Sequence, residues 1–359
     1  MGSSESSTGA ADGAAPRRDP ILVLTERELR QVVTLDLDAL AAIENAFTRL
    51  ALGEADVPPI LGLFVPDRHG EVDVKAAYIH GLSSLAIKIA SGFFDNGAWG
   101  LPSGSGLMVV LSTRTGYPQA ILLDNGYLTD VRTALAGAVA AKYLAPRQVR
   151  TVGGIGAGAQ GRYQVRALQL VRSFERVLVH DQSSAAVDAY VAEMPGVLGE
   201  DRAARGTGGP DVPVRVEAAD PETLVRHSDL VITCTPSHRP IVRAEWLHAG
   251  LHITAMGGDT AEKQELESAV LGRATRLACD LKTQCFARGE FHHARKAGVL
   301  GDDAPVAELG DLTSGRRTGR ERDDEITVCA LTGVGVQDTA IALLAYSRVE
   351  AAGLGTRFA

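Results

Sequence analysis

Val149–Asp181 reads VRTVGGIGAGAQGRYQVRALQLVRSFERVLVHD. A β-branched strand from Val149 to Ile155 runs into Gly156-Ala-Gly158-Ala159-Gln160-Gly161. A helix-like segment follows, then a second strand, Val177–His180, that ends on Asp181. This is the order of a nucleotide-binding βαβ unit. Gly156 permits the tight turn, Gly158 lets backbone approach a pyrophosphate, and Gly161 lets helix and strand pack closely. The helix N-terminus offers unpaired N–H groups and the positive end of its dipole to the phosphates. Asp181 sits at about the spacing of an acid that accepts bonds from ribose hydroxyls. Gln182, Ser183 and Ser184 follow it, with no Arg to receive a 2′-phosphate, so the expected cofactor is NAD(H) and not NADP. A bare G-x-G-x-x-G is weak in a chain with 39 glycines. The flanking strand, helix and terminal acid favour a ligand site over a ligand-free glycine turn.

Outward from this unit the pattern alternates strand and helix, with strands expected at Val214–Glu217, Leu230–Cys234, His252–Met256, Leu277–Cys279 and Thr327–Leu331. Such alternation predicts a parallel sheet with helices on both faces. Before it, Ile21–Leu24, Val72–Ile79, Leu85–Ile89, Gly106–Ser112 and Gln119–Leu123 read as strands separated by turn residues. They predict a curved antiparallel sheet, with Val57–Pro59 breaking the pattern ahead of it. Leu37–Leu52, the Ala-rich Leu128–Leu144 and Asp338–Ala352 read as helices. The fold class expected is therefore α/β: a Rossmann-type domain over 141–337 and a β-rich α+β domain over 20–140, joined by 338–359. Residues 1–19, rich in Gly, Ser and Ala, read as a disordered tail. Met1-Gly2 with Ser6 formally fits a myristoylation pattern, which such a composition matches easily. Gly206–Pro213 reads as a surface loop.

The 359 residues, 45% hydrophobic, suffice for two domains and a large core. A formal net charge of −8 argues against a nucleic-acid surface. Arg316, Arg317, Arg320 and Arg322 cluster, but Glu321, Asp323 and Asp324 adjoin them, which predicts a solvated loop. No apolar run reaches the roughly 18 residues of a membrane helix. Four scattered Cys read as reduced core residues of a cytoplasmic protein. No metal set appears: there is no H-E-x-x-H or paired-Cys spacing, and the adjacent His292 and His293 are expected to point apart. A P-loop fails because Arg162-Tyr163 follows Gly161. No G-x-S-x-G elbow surrounds Ser105.

In an open parallel sheet, ligands bind beyond the carboxyl ends of the strands. Three strand ends place polar groups and glycines there: Thr235-Pro236, Met256-Gly257-Gly258-Asp259 and Thr332-Gly333. Such residues also make ordinary turns, but three in one sheet favour a site. In the β-rich region Lys88 interrupts the apolar strand Leu85–Ala90, Lys75 ends Val72-Asp-Val-Lys75, and Arg132 opens the Ala-rich helix. Lys88 and Arg132 each either meet solvent or serve a site, and the local sequence favours solvent.

Six ordered segments carry a resemblance. They are Lys88 with Gly100-Leu-Pro102-Ser103, Asp124–Thr133, Gly156–Gln160, Gly258-Asp259 through Lys263 and Glu265-Leu266, Asp280–Gln284, and Gly289-Glu290. On these the chain resembles the ornithine cyclodeaminase/μ-crystallin family over roughly 21–352. Ile89–Gly100 and Leu123–Asp130 look most like a bacterial subgroup with iminosuccinate reductase and ectoine-utilisation cyclodeaminase-like proteins.

The resemblance implies a homodimer whose N-terminal part, completed by the C-terminal helix, binds substrate. It implies an enzyme acting on a small amino or imino acid. Lys88 and Arg132 would bind the substrate carboxylate, Asp259 would exchange protons, and Gly156, Gly158, Ala159 and Gln160 would form the phosphate loop with Asp181 as the ribose acid. Thr235 and Thr332 would line the nicotinamide side, with Pro236, Met256, Gly257 and Gly333 beside them, and Ser103 would join the substrate pocket. Within the family, imine reduction, amino-acid oxidation, redox-neutral cyclodeamination and the ligand binding of μ-crystallin all occur. One departure discriminates. Thirteen residues before the site lysine, cyclodeaminases carry a Glu for the substrate's terminal ammonium; here Lys75 stands there. A lysine repels that ammonium and attracts a second carboxylate, as in iminosuccinate or aspartate. The family's early carboxylate-binding Arg is also not evident, since Val57-Pro-Pro-Ile60 occupies that region.

Overall fold

The computed structural model describes residues 19–204 and 213–359. Residues 1–18 and 205–212 lie outside it, and with them nearly all of the tail expected over 1–19 and of the loop expected over 206–213.

Two eight-stranded sheets form the molecule. The first holds β1 (Ile21–Thr25), β2 (Ala55–Asp56), β3 (Leu61–Val65), β4 (Gly70–Ile79), β5 (Ser84–Phe93), β6 (Gly104–Ser112) and β7 (Pro118–Leu123). β16 (Thr356–Phe358) completes it beside β1. β4 to β7 are an antiparallel meander, as expected. The sheet as a whole is mixed, however, because β1 pairs with β7 in parallel. α1 (Glu26–Val32) and α2 (Leu37–Ala51) intervene after β1, and that long crossover is what a parallel pair requires. β3 follows the break at Val57–Pro59 and pairs with β4 at the sheet edge. All five of its residues are exposed, among them Leu61, Leu63 and Phe64.

The second sheet is wholly parallel, with β8 (Thr151–Ile155), β9 (Arg176–His180), β10 (Arg215–Ala218), β11 (Leu230–Thr233), β12 (His252–Ala255), β13 (Arg276–Cys279), β14 (Val306–Glu308) and β15 (Thr327–Ala330). Its order, β10-β9-β8-β11-β12-β15-β13-β14, reverses direction between β8 and β11. That reversal is the switch point of a Rossmann-type fold, where ligands bind. α4 (Ala159–Leu168) and α5 (Ser184–Ala204) follow β8 and β9.

α3 (Tyr127–Leu144) lies between the sheets and is buried on nearly every side, the condition of a helix that is apolar all round. α11 (Gly335–Ala352) leaves the parallel sheet and returns to the first one, where Thr339 Oγ1 donates to Ala77 O on β4 at 2.8 Å and accepts from Ala86 N on β5 at 3.3 Å.

The arginine cluster is not a uniformly solvated loop. Arg320 reaches inward and donates to the carbonyls of Leu144, Leu251 and Glu325, stapling α3 to the parallel sheet. The His292 and His293 rings do not diverge: they meet edge to face with centroids 5.4 Å apart. Among the described residues no His/Cys/Asp/Glu group could hold a metal, and no helix is long and apolar enough to cross a membrane.

Candidate active site

A cleft of about 1420 Å³ runs between the two sheets, from Asp181 at one end to Lys75 and Lys88 at the other. It is far larger than an amino acid needs, and it opens at the carboxyl ends of the parallel strands.

At the switch point the chain leaves β8 through Gly156, whose φ of +111° is closed to other residues without strain. A side chain there would also press on Cys234 O. A Cβ on Gly161 would overlap Gly156 O, so the first turn of α4 can lie against the loop only with glycine there. Around Gly158 the space is open. Asp181 Oδ2 accepts from Ala157 N and Oδ1 from Ser183 N, both at 2.9 Å. The acid therefore fixes the loop and borders a second hollow of about 420 Å³ lined by Gln182, Asp188 and Asp220. These carboxylates make a 2′-phosphate unwelcome. Gln160 Nε2 donates to Asp130 Oδ1 at 3.1 Å, which ties the loop to α3. Burial pushes the Asp130 carboxyl up to about 6. Glycine loop, helix terminus, ribose-side acid and cleft length together fit a dinucleotide.

The three strand ends converge as expected, but their hydroxyls are engaged. Thr235 N and Oγ1 both donate to Glu265, at 2.6 and 2.8 Å, and Gly257 N does so at 2.8 Å. Asp280 accepts from Thr332 N at 2.8 Å and Gly333 N at 2.6 Å, while Gln284 Nε2 donates to Thr332 Oγ1 and to Gly333 O. Glu290 accepts from the backbone of Glu265 and Leu266. Burial, and then the charge of Glu265, pushes Glu290 up to about 8. Glu265, Asp280 and Glu290 thus act as braces that shape backbone, leaving Pro236, Met256, Gly257 and Gly333 on the cleft wall.

Lys75 and Lys88, from adjacent strands in register, are both buried, as is Arg132 in the first part of α3. None of the three points to solvent. Burial, followed by the Arg132 charge, lowers both lysines; Lys88 falls to about 7. Lys75 Nζ donates to Thr332 O at 3.1 Å and Gly333 O at 3.2 Å, with Asp73 at 3.8 Å. Ser103 lines the exposed mouth beside Phe94 and Leu101.

Asp259 faces the same cleft, about one third exposed, and its Oδ1 accepts from Lys263 Nζ at 2.9 Å. Lys263 also donates to Glu71 at 3.0 Å. Burial opposes the Lys263 charge, but Asp259 and Glu71 outweigh it and hold the ammonium protonated. Glu71, Asp73 and Lys75 alternate along β4 and so share a face. They meet Lys263, Arg288 (at 4.0 Å) and the Thr332–Gly333 carbonyls, a seam that joins strand to nucleotide domain.

Sequence reasoning gave no role to Glu71, Asp73, Lys263 or Asp338. Asp338 is wholly buried at the start of α11, 2.9 Å from Arg132 Nε and 3.5 Å from Lys88 Nζ. Its only signal in the sequence was that of an ordinary acid in a helix's first turn.

The family described as ornithine cyclodeaminase/mu-crystallin matches residues 21–353. An uncharacterized cyclodeaminase of Sinorhizobium fredii is 48% identical, with 94% of this chain and 98% of that protein covered. Among solved structures, an archaeal alanine dehydrogenase dimer with bound NAD is 32% identical, with 94% and 99% covered and a TM-score of 0.83. Iminosuccinate reductase of Paracoccus denitrificans in complex with NAD+ is 30% identical, with 95% and 99% covered and a TM-score of 0.80.

Proposed function

This chain belongs to the ornithine cyclodeaminase/mu-crystallin family, and within it we propose an NAD(H)-dependent imino-acid reductase, equivalently an amino-acid dehydrogenase, acting on a dicarboxylic 2-imino acid such as iminosuccinate. The observation that carries this reading is the meeting of three buried cations, Lys75, Lys88 and Arg132, with Asp259 in the cleft that begins at the Gly156–Gly161 loop.

Gly156, Gly158, Ala159, Gln160 and Gly161 would hold the pyrophosphate, Asp181 the ribose, and Thr235, Pro236, Met256, Gly257, Thr332 and Gly333 the nicotinamide side. The bound cofactor supplies the hydride. Arg132 and Lys88 bind the α-carboxylate, Arg132 with its planar fork, and so fix the α-carbon against the cofactor face. Asp259, partly exposed, exchanges the amine proton directly or through water. Lys75 has spent two N–H groups on carbonyls; the third is offered to a side-chain carboxylate. Phe94, Leu101 and Ser103 line the mouth of the cleft.

A redox-neutral cyclodeaminase is the second reading. It is favoured by the acid pair Glu71 and Asp73 on the cleft wall, which could receive a terminal ammonium if Lys263 and Arg288 released them. NADH oxidation against a panel of 2-oxo acids with ammonia, oxaloacetate included, decides between the two when run beside ornithine and lysine. Oxaloacetate as the best substrate supports the reductase; ammonia released from ornithine or lysine without net NADH change replaces it.

We place the protein in the cytoplasm, where its free cysteines stay reduced. We also propose a homodimer formed on the first sheet. The exposed apolar residues of β3, Leu61, Leu63 and Phe64, are an edge that a monomer leaves as an aggregation hazard. The alanine dehydrogenase neighbour is a dimer.

A further inference from the structure

We propose that Asp338 is a positioning residue: its buried carboxylate, supplied by α11, aligns Lys88 and Arg132 and stands as their internal counter-ion until the substrate carboxylate arrives. The proposal rests on the functional reading above only for the identity of the incoming anion.

Three observations support it. First, the carboxylate is fully buried, and neither oxygen receives a hydrogen bond from a described residue. Buried carboxylates are ordinarily satisfied by two or more donors, and an unsatisfied one is costly. Second, its neighbours are cations of the cleft. Arg132 Nε lies at 2.9 Å without hydrogen-bond geometry, and Lys88 Nζ lies at 3.5 Å. Among the described residues, neither Lys88 nor Arg132 is ion-paired with any other acid. Third, the residues on either side hold it in place. Gln337 Nε2 donates to Arg132 O on α3 at 3.5 Å, and Thr339 Oγ1 bonds to β4 and β5. Three consecutive residues of α11 therefore grip the helix that carries Arg132, the two cations themselves, and the strands that carry Lys75 and Lys88. The start of α11 adds its positive dipole end to the stabilisation of the carboxylate.

The contacts are close but lack the alignment of a structural ion pair. A partner held by direct, aligned hydrogen bonds would cost more to displace than one held by charge alone. Asp338 thus keeps two like charges in one place without occupying the face of Arg132 that a substrate carboxylate needs.

The group whose proton affinity reports this role is Lys88. It faces Arg132 on α3, Asp338 on α11, Lys75 and Asp73 on β4, and Asp124 ahead of α3. Arg132 and Lys75 drive its proton off; Asp338 and Asp73 retain it. The test is competitive labelling of the whole protein with acetic anhydride across pH 5–10, read lysine by lysine by mass spectrometry, on the native chain, Asp338→Asn and Asp338→Glu. In Asp338→Asn the titration of Lys88 should move down by about one unit, so that its reactivity on the acid limb rises about tenfold. Lys75, which Asp338 also steadies, should move the same way; lysines outside the cleft should keep their profiles, and Asp338→Glu should restore the native one in part. An unchanged Lys88 profile in a folded Asp338→Asn, or a uniform rise at every lysine, overturns the proposal. Should Asp338→Asn not fold, Asp338→Ser carries the test: it removes the charge with a smaller side chain, and a Lys88 profile identical to native then refutes the role. None of these readings needs turnover, so absence of imine reduction would sink the functional reading and leave this one standing.

Discussion

Lys75 on β4 and Lys88 on β5 stand directly opposite each other in antiparallel register, and both are buried. Like charges so placed destabilise a sheet. Arg132 adds a third, against Asp338 and Asp73 as the nearby acids. Such an arrangement is strained toward an anion: it is stable enough to fold and better satisfied when a carboxylate enters.

Replacing Lys75 by Glu should reverse preference among imino acids. With oxaloacetate and ammonia, kcat/KM should fall at least about 100-fold, since like charges at a desolvated site cost several kcal/mol. With pyruvate and ammonia the fall should be within about tenfold. Lys75→Met loses the charge and the brace on Thr332 and Gly333 without adding a negative charge, and so isolates the repulsion that Glu introduces. Equal losses on both substrates would dismiss the second carboxylate.

Asp259→Asn should leave NADH binding, followed by fluorescence, within about twofold of native. Turnover should drop by about 10²–10⁴, the ordinary worth of a general acid–base group. Turnover near native would remove Asp259 from the chemistry.

Activity should fall as pH rises through about 7, where Lys88 loses its proton. Lys88 is a base whose titration is lowered from its usual range, so the carboxylate-binding ammonium is present below that pH and lost above it. The decline belongs to kcat/KM, which reports the free enzyme. Raising ionic strength should change it little, because the group is buried.

Gly161→Ala should cost about 1–3 kcal/mol of stability, as overpacking does, because the new methyl overlaps Gly156 O. Calorimetric unfolding measures the loss, and NADH affinity should fall with it as the loop is pushed open. A native melting profile would mean that α4 can shift to make room.

Phe64→Asp, on the exposed β3, should convert a dimer to a monomer in sedimentation while β4 to β7 stay folded. Persistence of the dimer would move the interface elsewhere.

Periodicity located twelve of the sixteen strands of the described residues, all but β5 to within two residues, because both sheets are built largely from strongly patterned segments. β3 escaped it: Leu61-Gly-Leu-Phe-Val is apolar without alternation, as a strand covered by nothing in the monomer can be. β2, β14 and β16 are only two or three residues long and carry too little sequence for a pattern. The parallel pairing of β1 with β7 was invisible because the partner is roughly a hundred residues away. The nucleotide loop was legible since its chemistry is local in sequence. The cation cluster was legible only through the family resemblance: local sequence leaves Lys88 and Arg132 as surface residues, and it is register and the placement of α3 that bring them beside Lys75. Thr235 and Thr332 were expected to face a ligand, yet their hydroxyls are held by Glu265 and by Gln284 with Asp280. That competition is a tertiary fact with no trace in spacing.

The return of α11 to the first sheet has a consequence for biosynthesis. The anion that neutralises the cleft is contributed by residue 338, after both sheets except β16 have left the ribosome. A nascent chain paused before that point carries Lys88 and Arg132 without the carboxylate they pair with. Completion of the cation pocket is thereby tied to the docking of α11.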